Sequence, residues 1–150
     1  MVSSVTSIAD IQSVIPQILE QVSYLRLLVL FGSRARGDHF PSSDWDFALL
    51  FNEELRQQYE LGGGWNCYRS WSVLQRILGL GDDEMDWVDL KNASDLLAHE
   101  IAQDGVVIYE GEPGLFEQFR QKSLMTRQQL KAIRREQKAE IAAALQQWGL

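Results

Sequence analysis

The sequence predicts an α/β or α+β domain in which helices pack on a small mixed sheet. Apolar segments of strand length alternate with segments whose apolar residues recur at helical spacing, and this is the pattern of a sheet covered by helices. The 150 residues are enough for one hydrophobic core. A composition of 45% hydrophobic and 23% charged residues is typical of a globular protein.

Four segments are predicted to be strands. Residues 24–31 are almost continuously apolar, as in a buried strand, and this segment stops abruptly at Gly32-Ser33. Residues 44–51 form the second predicted strand, with an apolar second half. Residues 85–90 and 106–109 are the third and the fourth. Because the strands alternate with helical segments, we expect the four strands to form one sheet with helices packed on it.

The segments between these strands have helical character. Residues 7–21 carry apolar side chains at helical spacing, and Pro16 either begins a restarted helix or kinks this one. Further helices are predicted after Asn52, over residues 65–78, and from a cap at Asn92 or Ser94 to a stop at Gly105. Residues 62–64 are glycines without a following lysine, which indicates a flexible connection rather than a phosphate-binding loop.

The C-terminal residues are predicted to form a helical extension. We therefore expect a domain of residues 1–112, followed by residues 113–150 as helix that packs on the domain or on a partner. Thr126 and Gln129 have the spacing of a capping box, so the extension is either one helix or two. A single helix would be roughly 55 Å long, at about 1.5 Å per residue, and would exceed the body of so small a domain.

Charge is distributed unevenly along the chain. Residues 1–112 hold 7 basic and 18 acidic side chains, a net charge of −11, whereas residues 113–150 hold 7 basic and 3 acidic ones, a net charge of +4. An acidic body has no surface for coating a phosphate backbone, so we expect no direct binding to nucleic acid. The basic extension either docks on an acidic partner or is a solvated helix.

Two patterns are missing from the sequence. No apolar run approaches the roughly 20 residues that a membrane-spanning helix needs, so no membrane association is expected. Residues 1–6 lack the basic and apolar regions of a signal peptide. The expected location is therefore cytoplasmic.

The turn after the first strand has the residues of a phosphate-binding site. Backbone N–H groups at the start of a helix attract an anion, and Gly32 lets the backbone approach it closely. The Ser33 hydroxyl adds one donor. Arg34 and Arg36 are able to pair with phosphate oxygens, although one of them can instead pair with Asp38. The candidate nucleotide-binding residues are Gly32, Ser33, Arg34 and Arg36.

Two aspartates follow at the start of the second strand. Asp44 and Asp46 alternate along it, so both carboxylates project from the same face, roughly 7 Å apart, while Trp45 is expected to pack behind that face. Carboxylates at this spacing repel each other, and a hard divalent cation between them removes the repulsion. Ligands that are all oxygen indicate Mg²⁺. A phosphate-binding turn with paired carboxylates indicates phosphoryl or nucleotidyl transfer.

This order of residues resembles the signature of the DNA-polymerase-beta-like nucleotidyltransferase superfamily: Gly-Ser, a loop of about ten residues, then Asp-x-Asp. Here residues 34–43 separate Gly32-Ser33 from Asp44. Phe31 and the stretch Ala35-Arg36-Gly37-Asp38 are similar to the minimal nucleotidyltransferases, or MNT proteins. These are small bacterial and archaeal proteins commonly paired with HEPN-domain partners as antitoxin and toxin. The resemblance covers residues 8–112.

The resemblance implies the polymerase-beta-like fold and a third carboxylate from a neighbouring strand. Asp86 and Asp89 are the candidates, and because they are three residues apart, only one of them can face Asp44 and Asp46 on a regular strand. The family pattern, an acidic residue followed by two apolar ones near the start of the strand, selects Asp86. Trp87 is then expected on the opposite face.

The resemblance further implies a function. Asp44, Asp46 and Asp86 would be catalytic residues that hold two Mg²⁺ ions, and ATP would be the substrate, with its leaving pyrophosphate stabilised by Ser33 and the arginines. The predicted reaction is transfer of AMP to a tyrosine hydroxyl of a HEPN ribonuclease toxin. Two alternatives remain open: transfer to a small hydroxylated molecule such as an aminoglycoside, and neutralisation of the toxin by binding without catalysis.

Overall fold

A computed structural model of the chain describes residues 4–60 and 69–150. The elements are α1 Ile8–Gln21, β1 Leu25–Phe31, α2 Ser33–Arg36, β2 Trp45–Phe51, α3 Glu53–Glu60, α4 Arg69–Leu78, β3 Met85–Asp89, α5 Asp95–Asp104, β4 Val106–Glu110, α6 Leu115–Ser123 and α7 Arg127–Gln147. The four predicted strands are therefore confirmed. The glycines of residues 62–64 and the predicted helix start at residue 65 lie outside the described residues.

The four strands form one mixed sheet in the order β3-β2-β1-β4. β1 pairs antiparallel with both β2 and β4, whereas β2 pairs parallel with β3. A parallel pair cannot be joined by a tight turn, so the chain leaves the end of β2, passes through α3 and α4, and returns to the start of β3. The predicted fold class is confirmed.

Apolar side chains cover both faces of the sheet. On one face, residues from α1 and α4 such as Ile18 and Leu74 pack with Phe47 in a large buried cluster. On the other face, Ile101 of α5 packs with Val29 in a smaller one. Because side chains alternate along a strand, neighbouring residues of β2 contribute to different clusters. The face with the smaller cluster also carries the polar residues described below.

The first helix is continuous. α1 spans Ile8–Gln21 with Pro16 inside it, so the helix does not restart at the proline. Ser7 caps its start, since the Ser7 side chain accepts a hydrogen bond from the backbone N–H of Asp10. The buried residues Ile11, Ile15 and Ile18 form the face that packs on the sheet.

The C-terminal extension consists of two helices. Leu115 and Phe116 of α6 are buried in the smaller cluster with Val29 and Ile101, so α6 packs on the same face of the sheet as α5. A capping box formed by Thr126 and Gln129 begins α7, which resolves the question that the spacing had left open. None of the 21 residues of α7 is buried. Among the described residues, no helix is long and apolar enough to cross a membrane.

Gly105, between α5 and β4, is tightly enclosed. A Cβ atom at this position would lie 2.4 Å from the Ile101 carbonyl oxygen, 2.7 Å from Val29 Cγ1 and 3.0 Å from Phe116 Cζ. We expect Gly105→Ala to lower the free energy of unfolding by about 1–3 kcal/mol, because these neighbours belong to a packed core and must move. Urea unfolding followed by circular dichroism measures this change.

Gly111→Ala is the matched control. Its Cβ would meet the hydroxyl end of the Tyr109 side chain at 3.1 Å, which can move away, and the Arg26 carbonyl oxygen at 3.5 Å. We expect the control to change stability little, since alanine also reduces the entropy of the unfolded chain. Equal destabilisation by the two variants would contradict the steric argument for Gly105.

Candidate active site

Asp46 and Asp86 lie side by side on the second face of the sheet. The parallel pairing of β2 with β3 places Asp46 opposite Asp86, on strands about 4.8 Å apart. Asp44 precedes β2 by one residue and is exposed. Sheet pairing thus brings Asp46 beside a carboxylate from a segment 40 positions further along the chain, and Asp44 interacts electrostatically with Asp46 from the residues just before β2.

The two tryptophans beside these aspartates pack on the opposite face, as predicted. Trp45 stacks with Phe47, with ring centroids 6.3 Å apart. Trp87 stacks with Trp71 of α4 at 5.7 Å. Their packing in the larger apolar cluster fixes the orientation of both strands, and with it the direction of the aspartate side chains.

Gly32 forms a notch that receives the Asp46 carboxylate. Its backbone has φ 74° and ψ −158°, a region that is essentially restricted to glycine. A Cβ atom at Gly32 would lie 2.2 Å from Asp46 Oδ2. Glycine is therefore required twice over, by its backbone conformation and by the close approach of the carboxylate.

The Gly32-Ser33 turn continues into the short helix α2. The backbone N–H groups of Ala35 and Arg36 donate to the Gly32 carbonyl oxygen at 3.1 Å, and that of Gly37 donates to the Ser33 carbonyl oxygen at 2.9 Å. Ser33 is the first residue of this helix, where backbone N–H groups have no acceptor within the helix itself. Backbone N–H donors at this position are suited to bind an anion. Because carboxylates lie beside them, the anion that fits best is one with bound cations.

Negative charge accumulates at Asp46. Burial raises the pKa of its carboxyl above the ordinary value, and the neighbouring Asp86 and Asp44 carboxylates raise it further. The positive charge of Arg36 opposes this increase in the pKa of Asp46. The three aspartates therefore interact electrostatically as one cluster, and its negative charge is incompletely balanced by the protein.

Asp89 has a different role from Asp86. Its Oδ2 atom lies 2.9 Å from Arg56 Nη1 in a half-buried ion pair. Its Oδ1 atom accepts a hydrogen bond from the backbone N–H of Lys91, which caps the 3₁₀ helix Leu90–Asn92. Between the two candidates for a third carboxylate, the structure places Asp86 beside Asp46 and uses Asp89 to hold the end of β3.

The two arginines of the motif have separate contacts. Arg34 donates from Nε to the Ser43 carbonyl oxygen at 3.0 Å and from Nη2 to the Pro41 carbonyl oxygen at 3.2 Å. Its guanidinium also lies 4.2 Å from the centre of the Trp45 ring. Arg34, proposed from sequence as a phosphate ligand, thus fixes the loop that leads to Asp44.

Arg36 contacts two carboxylates. Its Nε atom lies 3.2 Å from Asp38 Oδ2, the pairing that the sequence had offered as an alternative to phosphate. Its Nη1 atom lies 3.6 Å from Asp104 Oδ2, at the end of α5. Sequence reasoning missed Asp104, because no spacing rule connects the end of one helix to a turn 68 positions earlier.

The donor chemistry of the three aspartates fits a divalent cation such as Mg²⁺. All three offer carboxylate oxygen, which is the ligand type that Mg²⁺ prefers. Burial, and then repulsion from Asp86 and Asp44, raise the pKa of Asp46, and a bound cation would relieve that repulsion. As the side chains stand, no group of three or more His, Cys, Asp or Glu residues within residues 4–60 and 69–150 is arranged to hold a metal ion.

The chain is similar in sequence to a family of known proteins. The family described as polymerase beta, nucleotidyltransferase matches residues 13–113. A protein named protein adenylyltransferase MntA, from Aphanizomenon flos-aquae (strain 2012/KM1/D3), is 36% identical over 151 residues, which cover 100% of both chains. A protein of the same name from Shewanella oneidensis is 29% identical over 92 residues, covering 61% of this chain and 59% of that one.

Solved structures share the fold. A toxin-antitoxin crystal structure with AMP-PNP has a TM-score of 0.59 at 24% identity, covering 89% of this chain and 98% of the other. A structure of a tri-AMPylated Shewanella oneidensis HEPN toxin in complex with MNT antitoxin has a TM-score of 0.56 at 22% identity, covering 92% of this chain and 98% of the other. At these identities, the similarity concerns the fold.

Proposed function

Because this chain belongs to the polymerase beta nucleotidyltransferase family, we propose that it is an antitoxin that transfers AMP from ATP to a tyrosine hydroxyl of a HEPN-domain toxin. The family expected from the Gly-Ser and Asp-x-Asp residues is confirmed, and so is its fold. The observation that carries the proposal is the pairing of Asp46 with Asp86 beneath the Gly32-Ser33 turn. Full-length similarity to a protein named protein adenylyltransferase supports the choice of AMP and of a protein acceptor.

The proposed reaction forms one bond and breaks one. The tyrosine oxygen attacks the α-phosphorus of ATP in line, a new oxygen–phosphorus bond forms, and the bond to pyrophosphate breaks. Asp86 is exposed and adjacent to Asp46, so we assign to its carboxylate the acceptance of the tyrosine proton. The toxin gains AMP, and pyrophosphate leaves. A reaction that consumes ATP is expected to take place in the cytoplasm.

Residues of the Gly32-Ser33 turn are proposed to bind and orient the triphosphate. The Ser33 hydroxyl and the first N–H groups of α2 would donate to phosphate oxygens. Arg36 would add positive charge beside the triphosphate, both when ATP is bound and as the pyrophosphate leaves. Asp44, Asp46 and Asp86 would hold two Mg²⁺ ions, whose positive charge would stabilise the triphosphate and lower the pKa of the attacking hydroxyl. In this proposal Arg34 supports the site by fixing the loop to Asp44 rather than by contacting phosphate.

The decisive experiment supplies the acceptor. The protein is incubated with Mg²⁺, one NTP at a time, and the product of the adjacent gene, the expected HEPN-domain toxin, and that product is then analysed by mass spectrometry. We expect an increment of one or more AMP units with ATP, mapped to tyrosine.

Two other outcomes would overturn the proposal. Turnover only when a small alcohol or an aminoglycoside is supplied would establish a small-molecule transferase. Tight binding of the toxin without any mass increment, and unchanged by Asp46→Asn, would establish an antitoxin that acts by contact alone.

We also propose that α7 is the toxin-binding part of the extension. Apolar side chains towards its C-terminal end are exposed, Ile141 by 60% and the adjoining Trp148 by 81%. Its charged residues are Arg127, Lys131, Arg134, Arg135 and Lys138, opposed by Glu136 and Glu140. An exposed apolar stripe beside an excess of basic residues suits a partner with an apolar groove and an acidic rim.

Replacing both Ile141 and Leu145 by serine is expected to weaken toxin binding about tenfold or more, because apolar anchors at the centre of an interface carry much of the affinity. The control replaces Ala139 and Ala143 by serine, since both are exposed and lie on the opposite side of α7. Calorimetric titration with the toxin measures both affinities. Equal affinity of the two double variants would show that this stripe does not contact the toxin.

A further inference from the structure

The ion pair between Arg36 and Asp104 joins the phosphate-binding turn to the helix on the same face of the sheet. Asp104 is the last residue of α5, and its side chain is 30% exposed, compared with 46% for Arg36. The second partner of Arg36, Asp38, lies only two residues away and is 61% exposed. Arg36 is thus held between a carboxylate of its own loop and a carboxylate of a different element.

Asp104 is the more firmly anchored of the two. Ile101 and Ala102 lie in the same turn of α5, and both are buried. Ile101 belongs to the smaller apolar cluster. Gly105 closes the helix, and its backbone N–H donates to the Ile101 carbonyl oxygen at 2.8 Å. Asp38, in contrast, lies in the exposed segment after α2. A side chain on a packed helix fixes its partner more closely than one on an exposed loop.

Arg36 is the arginine of the motif whose positive charge acts on the Asp46 carboxylate. The Arg34 guanidinium donates hydrogen bonds to the carbonyl oxygens of Pro41 and Ser43. The Arg36 guanidinium, through Nε and Nη1, contacts Asp38 and Asp104, and neither contact uses Nη2. A guanidinium oriented in this way keeps a donor for a phosphate oxygen.

We propose that Asp104 is a positioning residue for the transfer reaction, which holds the Arg36 guanidinium beside the aspartate cluster so that Arg36 meets the triphosphate of ATP. This inference rests on the proposed function. The ordinary alternative is that Asp104 and Arg36 form a surface ion pair with little effect on anything, since many exposed pairs contribute almost nothing to stability. The two interpretations differ in the effect that they predict for Asp104 substitutions on the affinity for ATP.

Asp104→Asn tests the proposal, with Asp104→Glu as the conservative variant and Glu100→Gln as the control. Glu100 is exposed on the same helix, and its substitution removes the same charge. We expect Asp104→Asn to raise the KM for ATP and the Kd for AMP-PNP with Mg²⁺ about five- to tenfold, with kcat changed less than about twofold, because an arginine that grips the triphosphate throughout contributes uniform binding. Asp104→Glu should recover most of the affinity, and unfolding midpoints should not change.

A double-mutant cycle makes the test specific. In an Arg36→Ala background, Asp104→Asn should have no further effect on the Kd for AMP-PNP, because the residue through which it acts is gone. The proposal is overturned if Asp104→Asn behaves like Glu100→Gln, or if its effect persists undiminished without Arg36. The binding cycle requires no transfer, so it still decides this inference if the wild-type protein adds no AMP to the toxin, an outcome that would refute the proposed function by itself.

Discussion

Asp46→Asn is expected to reduce AMP transfer by roughly a thousandfold or more while making the fold more resistant to urea. The loss of transfer follows from removing the central carboxylate of the cluster, which is the kind of preorganised electrostatic contact whose loss has the largest effects on turnover. Transfer is measured as AMP incorporated into the toxin at saturating ATP, and stability is measured as the urea midpoint in buffer without divalent cations.

The gain in stability follows from the raised pKa of Asp46. Burial, then Asp86 and Asp44, hold this pKa above its ordinary value, so the folded protein binds the Asp46 proton more tightly than the unfolded chain does. Above the folded-state pKa, the ionised carboxylate therefore destabilises the fold, and asparagine removes that penalty. As the pH falls through the folded-state pKa towards the ordinary pKa of an aspartate, wild-type Asp46 becomes protonated and the advantage of the variant disappears.

Asp83→Asn is the control for both measurements. Asp83 is exposed in the turn before β3, so its replacement removes one negative charge outside the cluster. The control should transfer AMP at the wild-type rate and have an unchanged urea midpoint. If Asp46→Asn transfers AMP as fast as the control, the assignment of the site is wrong. If the variant is less stable than wild type at neutral pH, the penalty assigned to the ionised Asp46 carboxylate, from burial and from its acidic neighbours, is wrong.

Gly32→Ala is expected to impair both the fold and the reaction. The substitution imposes the backbone strain of a positive φ, about 1–3 kcal/mol, and drives a methyl group into the Asp46 carboxylate. Because Asp46 must then leave the notch, AMP transfer should fall about a hundredfold or more, beyond what the lower stability explains. Urea unfolding and incorporation of AMP into the toxin measure the two effects.

Gly37→Ala separates strain from steric exclusion. Gly37 also has a positive φ, 86°, but a Cβ atom there would meet nothing within 4 Å. It should lose about 1–2 kcal/mol of stability through strain alone and keep most of its transfer activity below the unfolding transition. Similar transfer rates for the two alanine variants would contradict the role assigned to the contact between Gly32 and Asp46.

Local patterns in the sequence predicted most of the elements. The strand pattern is visible because apolar residues alternate or run continuously. The two-residue period of a strand predicts that Asp44 and Asp46 share a face, although Asp44 lies one residue before β2. The capping box at Thr126 involves side chains three residues apart, so it too is local. Features of this kind depend on backbone geometry within one segment and require no knowledge of the rest of the fold.

Contacts between distant segments were less predictable. The spacing of Asp86 and Asp89 shows that they face opposite ways, but only the register of β3 against β2 shows which of them meets Asp46. The family pattern selected Asp86, and the pairing of the strands agrees with it. The ion pair of Arg36 with Asp104 and the contacts of Arg34 depend on loop and helix placement, about which periodicity carries no information.

The crossover between β2 and β3 has a consequence for protein synthesis and quality control. Asp46 and Asp86 become neighbours only after α3 and α4 have been made and β3 has joined the sheet, so a chain that has emerged only as far as β2 possesses half of its active site. The contact between Gly32 and Asp46 can form early, because the two residues are close in sequence. Asp86 reaches Asp46 only when β3 pairs with β2 across a long sequence separation, which is a slower step in folding. Catalytic competence therefore requires completion of the sheet. Under the proposed function, an incompletely folded chain would leave the toxin unmodified.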